Sequence, residues 1–145
     1  VKHLLVVDRS VRVVFHAVLL GSLYLLFAGH NQPGGGFVGG LVAGAALAMR
    51  YVAGGIEEVR RLTRLQPWTI LGSGLLLAAG TAIAPLLVGR TLLDSGAVSW
   101  DLPVFGKLKA TTALPFDVGV YLLVVGVVLM VFEAFGDDAA AGASP

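Results

Sequence analysis

Four ionisable residues, His16, His30, Asp117 and Glu133, lie within or at the margins of long apolar runs. A charge held at membrane depth is costly, so an ionisable side chain in such a place is a functional candidate. His16 falls about 6 to 8 Å inside the first run by helical rise; its imidazole suits proton relay and, kept neutral, suits a hydrogen bond to a neighbouring helix. Asp117 follows Leu114, Pro115 and Phe116 at the start of the last run. There a carboxylate offers a ligand to a cation and a titratable group to protons, or caps free amides and benefits from the helix dipole. Glu133 near the far end of that run carries the same pair of readings. His30, with Asn31 and Gln32, offers nitrogens and oxygens either to a passing ion or to the amides that begin the next helix.

Several other chemistries are excluded. The chain has no cysteine, which rules out disulfides, thiol catalysis and thiolate metal sites. The run Pro33, Gly34, Gly35, Gly36 lacks the Lys-Ser/Thr end of a phosphate-binding loop. No paired-histidine zinc motif and no Ser/His/Asp arrangement is present, so the expectation is neither an enzyme nor a cofactor or metal-ion protein. A net charge of +1 gives no indication of a nucleic-acid partner.

The elements that position these residues are transmembrane helices. Of 145 residues, 57% are hydrophobic and 13% charged, with a mean hydropathy of +0.88, outside the balance of a soluble globular domain. About 20 apolar residues cross roughly 30 Å of hydrocarbon as a helix, and windows near 11–28, 37–53, 68–88 and 116–135 qualify. The reading is an all-α, polytopic, four-helix transmembrane domain over 1–136 with a disordered tail at 137–145. The first run, flanked by Arg9 and Arg12 and without a small-residue cleavage site, reads as a retained helix, and Pro85 as a kink in the third. Seven of the ten basic residues (Lys2, Arg9, Arg12, Arg50, Arg60, Arg61, Arg64) flank one side and three (Arg90, Lys107, Lys109) the other. That bias puts both termini in the cytoplasm. The long third loop, with Trp100, Pro103, Phe105, Gly106 and Pro115, reads as an interfacial or tightly turned segment lying on other protein. Glu57 and Glu58 with Arg60, Arg61 and Arg64 read as a solvated loop or a short surface helix bearing charge pairs.

Along the second span Gly36, Gly40, Gly44 and Ala48 recur every four residues, with Gly35, Gly39 and Ala43 beside them. Lipid supplies no hydrophobic drive for helix association, so close packing on such small-residue faces supplies much of it. The ladder is therefore expected to seat another helix and to serve assembly.

Taken together, GHNQPGGGFVGGLVAG at 29–44 and LPFDVGVYLLVVGVV at 114–128 resemble the MnhB/MrpB family, the B-type component of the Mrp (Mnh) multisubunit sodium/proton antiporters, over nearly the whole chain. The resemblance implies a small accessory subunit in a prokaryotic plasma membrane, embedded in lipid within a hetero-oligomer of other Mrp subunits that exchanges sodium for protons. It marks Pro33 and Phe37 of the first motif and Asp117 of the second as positions for an essential role in assembly or ion passage. Two rival functions are a direct ion-path subunit using Asp117, His30 and His16, and a stand-alone homo-oligomeric transporter. The latter is disfavoured because coupled exchange needs paired titratable sites reachable from both sides.

Overall fold

The computed structural model describes residues 2–28, 35–87, 89, 97–102, 106–111 and 113–142. Among them lie helices α1 (Lys2–Ala28), α2 (Gly35–Leu62) and α3 (Pro67–Leu87), strands β1 (Ala97–Leu102) and β2 (Gly106–Thr111), and helix α4 (Ala113–Gly142). All four helices are long and apolar enough to cross a membrane. The spanning part is all-α, as the apolar windows require. The third loop adds a two-stranded antiparallel hairpin, paired from Ala97↔Thr111 to Leu102↔Gly106.

Two helices outrun their apolar windows. α1 already starts at Lys2, where helix formers and an Asp8–Arg12 pair at 3.2 Å one turn apart support it. α4 continues through Gly142, whereas the sequence reading places a disordered tail at 137–145. Ala139, Ala140 and Ala141 favour the helix, and Asp137 is held at 2.9 Å by Arg60; residues 143–145 lie outside the described residues. α3 runs across Pro85 to Leu87.

The helices form a row in the order α1, α2, α4, α3, with only a narrow contact between α1 and α4. Consecutive helices usually pack side by side, yet α3 lies beyond α4. The cause is a bend in α2. Gly55 has φ 73° and ψ −172°, a left-handed geometry that favours glycine. Beyond it, residues 56–62 cross the end of α4: a Cβ on Gly136 would stand 2.8 Å from Ile56, and Arg60 reaches Glu133. The turn at 63–66 is closed by the Thr63 amide donating to the Val59 carbonyl at 3.0 Å and the Thr69 amide to the Gln66 carbonyl at 3.0 Å. Pro67 then starts α3, a position that does not need its missing N–H.

The glycine contacts give the directions of packing. Gly36, Gly40 and Gly44 meet Asp117, Val124 and Val128 in the same order, so α2 and α4 run parallel, while Gly74 against Gly119 and Leu71 against Gly126 make α3 antiparallel to α4. The heads of α2 and α4 therefore share one end of the row, here the motif end. The opposite, charged end holds the core cluster of Phe15, Ala46, Leu47, Val59 and Leu129.

Candidate functional site

The two motif segments meet. At the head of α2 Gly35 and Gly36 are buried, and a Cβ on Gly36 would stand 2.1 Å from the backbone carbonyl oxygen of Asp117. One turn on, Gly39 faces the Ser22 carbonyl (2.8 Å) and the Tyr121 ring (3.3 Å), and Gly40 faces Val124 (2.8 Å). Three helices converge here. The Tyr121 hydroxyl lies 2.9 Å from Ser22 Oγ, and Ser22 Oγ donates to the Leu19 carbonyl at 2.6 Å. Each hydroxyl thus has a partner, as polar groups inside a bilayer require.

The ladder is consequently occupied within the chain. Gly36, Gly40 and Gly44 seat α4, while Gly39 seats α1, so the helices that the ladder is expected to seat come from the same chain. The spacing identifies a face that accepts a close helix; that α4 and α1 are the helices that fill it is decided by the tertiary fold. Phe37 points away, 52% exposed.

Asp117 is half-buried. It lies in the second turn of α4, because the helix already starts at Ala113 and accommodates Pro115 in its first turn. The amide-capping position expected for it is thus further upstream, although the carboxylate still sits near the helix N-terminus and its dipole. His30, Pro33 and Gly34 lie outside the described residues.

The remaining candidates are elsewhere. His16 is exposed on α1, its Nδ1 2.7 Å from the Arg12 carbonyl and its ring edge-on to Phe15. Glu133 is at the charged end, where Arg60 Nε donates to its two carboxylate oxygens at 3.0 and 3.1 Å. Arg60 also reaches Asp137 at 2.9 Å and Glu57 at 3.0 Å, so the expected helix with charge pairs is present and is tied to α4. Neither His16 nor Glu133 approaches the junction. Among the described residues no group of three or more His, Cys, Asp or Glu is placed to hold a metal ion.

Arg50 reads in sequence as a loop cation, yet it is 3% exposed. Its guanidinium lies 5.7 Å from the centroid of the Phe15 ring and pairs with Glu58, which the Gly55 bend returns towards it. Gly54 makes room, since a Cβ there would stand 2.8 Å from Glu58 Cβ. The Gly54-Gly55 pair, between a cation and two acids, is the sequence signal for this return. Tyr51 and Phe132 stack beside it, centroids 4.9 Å apart and rings 7° from parallel. Nothing comparable marks Ser22, a small hydroxyl in an apolar helix.

These features define a polytopic membrane protein whose helices α2 and α4 are joined by glycine contacts at the motif end and by the ion pairs of Arg60 at the other. The chain belongs to the family described as "Domain related to MnhB subunit of Na+/H+ antiporter", whose profile matches residues 6–130. It is 39% identical over 127 residues to the B-type component of the Na(+)/H(+) antiporter of Alkalihalophilus pseudofirmus, covering 88% of each chain. Against the corresponding Na(+)/H(+) antiporter component of Bacillus subtilis it is 36% identical over 134 residues, covering 92% of this chain and 94% of the other. A chain in the structure of the Mrp complex from Dietzia sp. DQ12-45-1b superposes with a TM-score of 0.76 at 32% identity. That match takes in 93% of this chain and 14% of the much longer Dietzia chain.

Proposed function

We propose that the chain is an accessory membrane subunit of a multisubunit sodium/proton antiporter of a bacterial plasma membrane, driven by the proton-motive force. Its chief role is helix packing and assembly with the other subunits of that complex. The observation that carries this reading is family membership over residues 6–130, together with near full-length similarity to the Na(+)/H(+) antiporter components of Alkalihalophilus pseudofirmus and Bacillus subtilis. Both termini face the cytoplasm, supported by the basic residues gathered at the charged end. Between the two ends the described helices carry no carboxylate, histidine, lysine or arginine over 17–28, 35–49, 67–87 and 118–132. A coupled exchange route needs titratable groups reachable from both sides, so the chain acts as part of a transporter and not as a self-sufficient exchanger.

One observation favours a second reading, an ion route that touches this chain at Asp117: a carboxylate half-buried at a tight backbone junction. The test is Asp117→Asn in the assembled complex, with sodium/proton exchange measured in sealed vesicles. The packing role predicts normal assembly and exchange within about twofold of wild type, since the contact with Gly36 is made by the backbone. Normal assembly with a tenfold or greater loss of exchange, roughly 1.4 kcal/mol or more, establishes the ion route instead.

A further inference from the structure

One exposed flank of α1 carries basic residues at its start and apolar residues beyond them. α1 packs inwards through Phe15, Leu19, Ser22 and Leu26. At 100° per residue, Leu5, Arg9, Arg12, His16, Leu20 and Leu23 fall on one stripe about a quarter-turn round the helix from that packing face, and all are exposed. The stripe changes character once along its length. Arg9 makes no ion pair with a described residue, and Arg12 shares one nitrogen with Asp8 at 3.2 Å while its side chain stays 60% exposed. His16 is the last ionisable group; beyond it Leu20, 68% exposed, and Leu23 continue the face as hydrocarbon.

Depth matches the change. From Arg9 to Ala28 a helix rises about 28 Å, close to the roughly 30 Å of hydrocarbon in a bilayer. Arg9 and Arg12 therefore lie at phosphate level, with the apolar part of the stripe running alongside acyl chains. Arginine presents several donors in a planar fork suited to phosphate, and two of them one turn apart can hold a single anionic group from both sides. A basic level continuous with an apolar track is complementary to an amphiphile.

From this geometry we propose that this exposed flank of α1 binds one anionic phospholipid, its phosphate between Arg9 and Arg12 and its acyl chains along Val13, Leu20 and Leu23. The site depends on membrane insertion and not on the antiport reading. The chain has no cysteine, so Val13→Cys places one fluorophore on this face within the chain. The labelled, assembled complex in neutral detergent is titrated with phosphatidylglycerol carrying brominated chains and, separately, with brominated phosphatidylcholine. Half-maximal quenching is expected at about fivefold lower mole fraction of the anionic lipid, the gain of one basic residue at an anionic surface. Arg9→Gln with Arg12→Gln removes the difference, and inorganic phosphate leaves it in place. If that pair fails to assemble, Arg9→Lys with Arg12→Lys retains the charge and must retain the preference. Equal quenching by both lipids overturns the proposal. So does displacement by inorganic phosphate, which would mark an anion site without a lipid, and so does quenching by neither lipid, which would place another subunit on this face.

Discussion

The two ends of α2 join it to its neighbours by opposite means. At the motif end side chains are missing: Gly36, Gly39 and Gly40 let α1 and α4 approach until backbone meets backbone. At the charged end side chains are long and ionised: Arg50 reaches Glu58 and Phe15, and Arg60 gathers Glu57, Glu133 and Asp137. The difference follows from the surroundings. Within hydrocarbon, helix association rests on contact at short range, and a smooth glycine face provides it. Nearer the interface water stabilises charges, so ion pairs can hold a bent chain without the full cost of deep burial. The glycine end is intolerant of added volume, whereas the charged end is sensitive to lost partners.

Substitutions at Gly36, Arg50 with Glu58, and Gly80 separate these behaviours, taken from the largest effect down. Gly36→Ala places its Cβ against the Asp117 carbonyl, with only backbone to yield. A loss of about 3 kcal/mol or more is expected, at the upper end of ordinary overpacking, read as the denaturant midpoint in mixed micelles. A midpoint equal to wild type would show that the junction is loose. Arg50→Met removes one partner of a mostly buried pair and should cost about 2 to 3 kcal/mol, somewhat below fully buried cases because Glu58 keeps 24% of its side chain exposed. Adding Glu58→Gln should recover at least half of that loss; no recovery would mean that Arg50 acts through packing on Phe15 alone. Gly80→Ala has nothing within 4 Å of the new Cβ and should stabilise the chain by about 0.5 to 1 kcal/mol through helix propensity. A loss measured only in the assembled complex would place a close partner helix on that side of α3.

The four spans, their approximate limits and the presence of a helix-seating face on the second are legible in the sequence because each depends on local composition or a four-residue period. The motif pair is legible as a resemblance, and the structure brings its two segments together at Gly36 and Asp117. What escapes is partner choice. In sequence Arg50 looks like the other cations around the second loop, and only the left-handed Gly55 brings Glu58 back to it. Ser22 and Tyr121 are 99 residues apart, and no pattern along the chain pairs them. Asp117 reads as the start of the last run, whereas α4 begins at Ala113 and takes Pro115 into its first turn.

Apolar run length and small-residue spacing by themselves determined that this chain spans a membrane four times and that α2 offers a groove. Both properties are set by what a short segment can bury, independently of the rest of the fold. Tertiary structure alone decided that α4 and α1 fill that groove, that α3 lies beyond α4, and that an arginine is enclosed at the charged end. The placement of α3 and the enclosure of Arg50 turn on Gly55, the non-helical residue within α2 that redirects the chain, while the contact with α1 rests on residues far apart in sequence.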